Sequence, residues 1–383
     1  MICQEINEGS ITTPAGFTAG AVYVGVKSHK SYKPDVAILY SEVPDTRCAA
    51  LFTTNRFCAA PVILGRTIAA SGRARGVVVN SGNANAGTGE DGIRAAQAVE
   101  RCAEALLGLP DDSLFVSSTG VIGEPLPVEK VKEAVRRIVP ALSGDGGHAA
   151  AWAIMTTDRM RKEYACRLKL SGGWVHVGVM AKGSGMIHPN LATTLCFLTT
   201  DAVLEPSDMH VMLKAACEDS FHMLTVDGDT STNDSLIMFA NGASGIGLDG
   251  PEDRAVFAEL LEKILQDMAQ RIAMDGEGAG HMMRVTVKGL ASRQEAREIA
   301  RTVARANSVK AALGHGTLSE ALVLSAAGSA ESTADFMKAA CHLRLNDKTA
   351  EIEITFRDGD ETATAFGCDL TEEYVHLNGD YRS

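Results

Sequence analysis

GSGMIHPNLATTLCFLTTDA, residues 183–202, carries no charge before Asp201, holds four threonines and places Pro189 just ahead of a strand-like run. Two readings compete for it. In the first, TTLCFLTT is a buried β-strand whose hydroxyls bond neighbouring backbone. In the second, the glycines and the proline matter more than the strand. Gly183 and Gly185 open backbone torsions closed to other residues, Pro189 fixes φ, and Ala192 leaves the carbonyl ahead of Thr193 uncrowded. A strained Ala192–Thr193 bond can undergo an N-to-O acyl shift and hydrolysis, which frees Thr193 as a new chain terminus. Its α-amine, with a pKa near ~8, then serves as base for its own hydroxyl, so that one residue supplies both nucleophile and base.

The rest of the chain sets the frame for that segment. At 383 residues with 45% hydrophobic content, it is long enough for two or three lobes around a sizeable core. The excess of 48 acidic over 36 basic side chains, with no basic block, argues against a nucleic-acid surface. Nine scattered cysteines without a CxxC pair read as reduced thiols. The N-terminal MICQEINEGSITTPAGF has neither the basic nor the apolar part of a signal peptide, and no run of ~18 apolar residues spans a bilayer. A cytoplasmic protein without membrane contact is expected.

Short β-branched runs (VAILY, ARGVVVN, WVHVGVMA) alternate with helical periodicity in DGIRAAQAVERCAEALLGL and PVEKVKEAVRRIV. After the central segment, PSDMHVMLKAACEDSF reads as a helix, SLIMFAN as a strand, the run from Pro251 as a long helix and MRVTVKGL as a strand. Residues 291–307 predict an amphipathic helix, and AEIEITFR a half-exposed strand that follows a helix around ADFMKAACHL. The fold class is mixed α/β layers with a smaller C-terminal α/β lobe over about 290–370.

Several motifs suggest chemistry and then fail on detail. GIGLDG at 245–250 satisfies the dinucleotide glycine pattern, but the helix starts only at Pro251 and the next strand lacks the acid that holds a ribose; a plain turn fits better. The histidines show no zinc spacing, so no metal is expected. His188 reads as a hydrogen-bonded structural residue rather than a catalytic one. DGDTSTND at 227–234 resembles a calcium loop but lacks the central glycine and terminal glutamate, and reads as a turn rich in side-chain to backbone bonds. VSSTGVIGEP at 116–125 is more useful, because N–H groups and a hydroxyl at a Ser-Thr-Gly turn are the donors that a tetrahedral oxyanion requires.

Taken in order, PAGFTAG, FTTNRFCAAPV, VVVNSGNANAGTGEDG, SSTGVIGEPLP, AIMTTD, AKGSGMIHPNLATTLCFLTTDA, TVDGDTSTND, MDGEGA and EEYVHLNGDYRS resemble the ornithine acetyltransferase, or glutamate N-acetyltransferase, family of arginine biosynthesis. The resemblance covers most of residues 13–383. It implies self-cleavage between Ala192 and Thr193, giving an α chain of 1–192 and a β chain of 193–383 with Thr193 as nucleophile. Thr119 and Gly120 match the oxyanion hole. Thr156, Lys182, Glu277, Asn378 and the final Ser383 match substrate contacts. The implied reaction moves acetyl from N-acetylornithine to glutamate through an acetyl-threonine ester, without a cofactor, and some members also take acetyl-CoA as donor. The implied assembly is a heterotetramer of two α and two β chains.

These residue types suit that traffic, since Lys182 can meet a carboxylate and Glu277 an amine. One departure stands out: after Asn307, SVKAALGHGTLSEALVL replaces the family's usual segment with its tryptophan-containing loop. That puts the packing of the last lobe, and donor choice, in question. Rival readings are an aminopeptidase or amidase with the same self-processing logic, a side-branch acyltransferase with another donor or acceptor, and a non-enzymatic relative that stays one chain.

Overall fold

The computed structural model describes residues 2–27, 33–188 and 194–379. Along the chain run β1 (Cys3–Glu5), β2 (Phe17–Val22), β3 (Val36–Ser41), β4 (Arg47–Phe52), α1 (Ala60–Ser71), β5 (Gly76–Asn83), α2 (Gly89–Leu107), β6 (Leu114–Val121), α3 (Val128–Ile138) and α4 (Gly147–Ala153). Next come β7 (Lys162–Leu170), β8 (Gly173–Lys182), β9 (Leu195–Thr200), α5 (Pro206–Glu218), β10 (Ser235–Ala240) and α6 (Pro251–Met274). The chain continues through β11 (Met282–Leu290), α7 (Arg293–Arg305), α8 (Asn307–Gly314), α9 (Glu320–Ala327), β12 (Ala340–Leu345), β13 (Thr349–Thr355), β14 (Glu361–Cys368) and α10 (Glu372–Gly379).

The strands form a six-stranded sheet in the order β1-β7-β8-β9-β10-β4, and a four-stranded sheet in the order β2-β3-β5-β6. Their inner faces pack together through Phe197, Phe239 and Met180 on one side and Leu39, Val79 and Phe115 on the other. The rings of Phe115 and Phe239 meet edge to face at 5.9 Å, the arrangement that aromatic quadrupoles favour. The outer face of the larger sheet is covered by α5 and α6 through Met209, Leu213, Phe257 and Ile264, and that of the smaller one by α2 and α3 through Val99, Ala103, Val131 and Val135. The body is therefore a four-layer α/β/β/α sandwich. Both α5 and α6 open on proline, where the missing N–H costs no hydrogen bond.

β9 explains the run LCFLTT. It lies inside the larger sheet, antiparallel to β8 and parallel to β10, and every residue of it is buried. Thr199 donates its hydroxyl to the Ile11 carbonyl at 2.6 Å and Thr200 to that of His176 at 2.7 Å, so burying these hydroxyls leaves no orphaned donor.

A third sheet, β12-β13-β11-β14, carries α7, α8 and α9 on its core through Val285, Ile352, Ile299, Val309 and Val323. α7 starts at Ser292, whose hydroxyl accepts from Glu295 N–H. The segment after Asn307 folds as α8 and α9 and packs on this core. Lys310 of α8, fully buried, donates to the Cys368 carbonyl. One expectation is corrected here: ADFMKAACHL forms a single 3₁₀ turn, Phe336–Lys338, and then β12. Cys341 and Leu343 alternate inward against β13, and pairing across six positions outweighs the helical propensity of the alanines.

Candidate active site

β8 ends at Lys182, whose side chain is only 3% exposed. Its ammonium donates to the Thr156 hydroxyl at 2.9 Å and to the Thr119 hydroxyl at 3.3 Å. An ammonium has three donors, so two go to threonines. Burial lowers the pKa of Lys182, and the neighbouring Asp158 carboxylate pulls it back up. Thr119 belongs to β6 in the smaller sheet, so the lysine bridges the two layers. The next residue, Gly120, has φ +133°, and a Cβ there would lie 2.3 Å from the Gly82 carbonyl carbon. Glycine lets β6 come this close to β5, where their register shifts.

Behind Lys182 lies a buried ionic group. Lys162 donates to Asp158 at 2.7 Å and to Asp275 at 2.6 Å, and all three side chains are fully buried. Asp158 also accepts from the backbone N–H of Thr156 at 3.0 Å and of Gly183 at 2.8 Å. Burial acts to raise its carboxyl, but Lys182 and Lys162 outweigh that and hold it well below the usual carboxylate range. Asp275 takes the Arg159 N–H and guanidinium as well. One lysine thus ties both walls of the Lys182 seat together.

Glu277 forms the opposite wall. Its N–H donates to the Ser184 carbonyl at 2.8 Å, and its carboxylate accepts from the Thr157 hydroxyl at 2.7 Å and from Asn378 Nδ2 at 2.9 Å. The carboxylate rests directly on Gly185: a Cβ there would sit 2.1 Å from Oε2 and 2.2 Å from Cδ. Asn378 is therefore brought in by α10 to hold the acid. The stretch Lys182–Gly185 unites the two groups, because it carries the lysine at one end and seats the glutamate at the other.

DGDTSTND proves to be a hub rather than a local turn. Some of its bonds are local, such as Asp229 N–H to Asp227 and Asn233 N–H to Ser231. The others reach across the molecule. Asp227 accepts from Met186 and Ile187 N–H, and Met186 has φ +57°. Asn233 donates to the Ala84 and Ser118 carbonyls at 2.7 and 2.8 Å, tying the hub to the Ser-Thr-Gly turn. Asp234 accepts from Thr194 N–H at 2.9 Å.

Of the residues assigned from sequence, Thr119, Gly120, Thr156, Lys182, Glu277 and Asn378 converge on this region. Ala192, Thr193 and Ser383 lie outside the described residues. His188 is half-buried, and its Nδ1 has no partner among the described residues; burial and Arg305 lower its pKa. Lys162, Asp158, Asp275, Thr157 and Asp234 were missed, although four of the five sit inside the quoted blocks or one residue from them. Lys27 was missed entirely. Its ammonium donates to the Pro34 and Ala153 carbonyls, and burial, aided by Lys182 and opposed by Asp35, lowers its pKa to about 8. The described residues contain no cluster of three or more potential metal ligands, and no helix among them is long and apolar enough to cross a membrane. A cleft of about 420 Å³ beside Asp219, Gln266 and Arg293 shares no residue with the site.

A buried lysine among threonine hydroxyls, with carboxylates behind and opposite it, is the equipment of an enzyme that handles charged substrates. The chain belongs to the ArgJ family, whose model matches residues 18–344 and 317–383. It is 43% identical to the arginine biosynthesis bifunctional protein ArgJ of Symbiobacterium thermophilum over 400 aligned positions, covering 98% of this chain and 99% of that protein. The protein of the same name from Dehalococcoides mccartyi is 42% identical, with 98% and 97% covered. The first alignment is longer than the chain's 383 residues, so that relative has residues this chain lacks. Among solved structures, the Mycobacterium tuberculosis ornithine acetyltransferase in complex with ornithine is 36% identical, covering 51% of this chain and 100% of that one with a TM-score of 0.46. The Bacillus halodurans ArgJ structure is 35% identical, covering 49% and 97%, with a TM-score of 0.45.

Proposed function

We propose that the chain is a self-cleaving glutamate N-acetyltransferase of arginine biosynthesis, which moves acetyl from N2-acetyl-L-ornithine to L-glutamate. The observation that carries the reading is Lys182: a buried ammonium donating to Thr119 and Thr156, with the Glu277 carboxylate seated three residues along the same segment. The pocket thereby offers a cation and an anion to substrates that are themselves amino acids. Cleavage between Ala192 and Thr193 yields chains 1–192 and 193–383. The Thr193 hydroxyl attacks the acetyl carbon while its own α-amine takes the proton. Thr119 and the Gly120 N–H hold the oxyanion, Lys182 meets the carboxylate, and Glu277 receives the amine and shuttles its proton. Ornithine leaves, and glutamate attacks the ester from the same position. Thr156 and Asn378 hold Lys182 and Glu277 in place, and Ser383 completes the substrate contacts.

No cofactor is required, because the threonine ester preserves the acyl group's reactivity. Acetyl-CoA enters as a second donor, in keeping with the word bifunctional in the relatives' names. The working form is a heterotetramer of two α and two β chains in the cytoplasm.

The test is intact mass under denaturing conditions, followed by acetyl transfer measured with each donor. Two species split at Thr193, with glutamate-dependent release of ornithine, are expected. Thr193→Ala leaves one inactive chain, whereas Glu277→Gln still cuts but transfers slowly. Acetylornithine hydrolysis that ignores glutamate would make the protein an amidase instead.

A further inference from the structure

The Lys182 ammonium donates to two hydroxyls that come from different parts of the chain: Thr119 on β6, and Thr156, three residues beyond the end of α4. Their spacing decides whether one ammonium can reach both. Lys27 joins the two segments. Its backbone lies against Gly82, where a Cβ would sit 2.8 Å from the Lys27 N and Cα. Gly82 in turn stands opposite Gly120, the neighbour of Thr119. Asp35, fully buried, fixes the loop by accepting from the N–H groups of Val24, Val26 and Lys27 at 2.9, 2.6 and 3.2 Å. From this seat the Lys27 ammonium donates to the Pro34 carbonyl at 3.0 Å and to the Ala153 carbonyl at 3.3 Å. Ala153 is the last residue of α4, and a cation suits a helix C-terminus. The same carbonyl accepts from the Ser81 hydroxyl, and Ser81 stands opposite Thr119 in the pairing of β5 with β6. One carbonyl is therefore gripped twice, and the grip couples the Thr156 side of the site to the Thr119 side.

We propose that Lys27 is a positioning residue of acetyl transfer: by holding the Ala153 carbonyl against β5, it sets the Thr119–Thr156 spacing into which Lys182 donates. The inference rests on the assignment of Thr119, Thr156 and Lys182 to the transfer site. Lys27 acts through the two threonines, not by contact with substrate. Its charge strengthens the grip, because a hydrogen bond from an ammonium is roughly twice as strong as one from a neutral donor. Burial lowers the Lys27 pKa to about 8; Asp35 and Asp158 oppose the shift, and Lys182 and Lys33 add to it. The grip is thus firm while Lys27 is charged and slackens as pH rises through about 8.

The experiment is steady-state acetyl transfer from N-acetylornithine to glutamate across about pH 6–10, on wild type, Lys27→Met, Lys27→Arg, Ser81→Ala and the double variant Lys27→Met/Ser81→Ala. Rates are scaled to the cut fraction found by intact mass. Lys27→Met should lower kcat at least ~10-fold at neutral pH, with KM for both substrates within about twofold of wild type. Wild-type kcat should decline above pH about 8. In Lys27→Arg, whose guanidinium keeps its charge, that decline should disappear. A decline set by Lys182, whose pKa burial also lowers, would persist in this variant. The double variant should lose less than the product of the single losses, because both side chains hold one carbonyl. A kcat for Lys27→Met within about threefold of wild type, a rise in KM alone, an alkaline decline that Lys27→Arg leaves in place, or fully multiplicative losses would each overturn the proposal. Should Lys27→Met fail to fold or to cut, the pH course of Lys27→Arg decides alone. A wild type without glutamate-dependent transfer sinks the parent reading and this one together, whereas an active wild type with an equally active Lys27→Met removes this one alone.

Discussion

Lys162→Met tests whether the buried ionic group holds the site together. The substitution keeps the length of the side chain and removes the charge, leaving Asp158 and Asp275, both fully buried, without the ammonium that now lies 2.7 and 2.6 Å away. Breaking a buried pair by deleting one partner costs about 3–5 kcal/mol, and the desolvated carboxylates left behind keep the Arg159 guanidinium on Asp275 and the Lys182 charge beside Asp158. With an unfolding entropy of ~2.1 cal/mol/K per residue, a chain of 383 residues converts that loss into a fall in Tm of about 4–6 °C. The pH dependence has a definite sign. Asp158 is held below its ordinary range in the folded state, so its contribution is present above the unfolded value of ~3.9 and is lost as pH falls through the lower folded value. The gap between wild type and variant should be widest near neutrality and shrink below pH ~4. Differential scanning calorimetry and urea titration across that range measure it. Acetyl transfer should fall as well, because Asp158 anchors the N–H groups of Thr156 and Gly183 around Lys182. A loss under about 1 kcal/mol, the range of exposed pairs, would refute the view that this triad is a sealed unit.

Other perturbations follow from single contacts. Gly185→Ala places a methyl group 2.1 Å from the Glu277 carboxylate; steady-state kinetics should show a fall of at least tenfold in kcat/KM, with cleavage at Thr193 retained and Tm little changed. Gly120→Ala meets backbone at 2.3 Å rather than a mobile side chain, and should lose both soluble yield and self-cleavage, read by intact mass. Glu100 is 4% exposed on α2, and burial, with Glu104 and Asp112 beside it, pushes its carboxyl up to about 8. Between the unfolded value of ~4.3 and about 8, the folded chain keeps a proton that the unfolded chain releases, so stability falls as pH rises through that window. Glu100→Gln should flatten this slope in urea titrations at pH 5 and 9.

The layers of the sandwich were legible in the sequence because burial leaves a period. The β-branched runs of β3, β5 and β8 and the proline starts of α5 and α6 each announce themselves within a few residues. β12 did not, because the alanines of ADFMKAACHL favour a helix locally and only the pairing with β13 overrides them. The site divides the same way. Lys182, Glu277 and Thr119 were named through the order of short motifs, which is long-range information already encoded in a family, and the structure brings them into one region. Lys162, Asp275 and Asp234 were not found, because a buried acid and a surface acid look alike in one dimension. Their roles come from partners 113 residues away for Lys162 with Asp275, and 40 for Thr194 with Asp234. DGDTSTND shows the limit well: its local bonds were foreseeable, and its long-range ones to Met186, Ser118 and Thr194 were not.

The proposed cut between Ala192 and Thr193 has a mechanical consequence. Chain 1–192 supplies β1, β4, β7 and β8 to the six-stranded sheet, and chain 193–383 supplies β9 and β10. β9 is bonded over six positions to β8 on one side and six to β10 on the other, and β10 pairs over six more with β4. The two chains therefore share one sheet and one core, with Phe197 and Phe239 packed against Leu39 and Phe115. A cut there would break none of these contacts, and Thr194, the residue after the proposed terminus, stays held by Asp234 and Ser235. Separation would strip both faces of an interior strand, so the cut protein should behave as an obligate complex rather than a reversible pair. Native mass spectrometry and size-exclusion chromatography on dilution to nanomolar concentration should return one species containing both chains, which part only in denaturant. Recovery of a free, folded 193–383 chain would mean that the shared sheet is not what holds the two chains together.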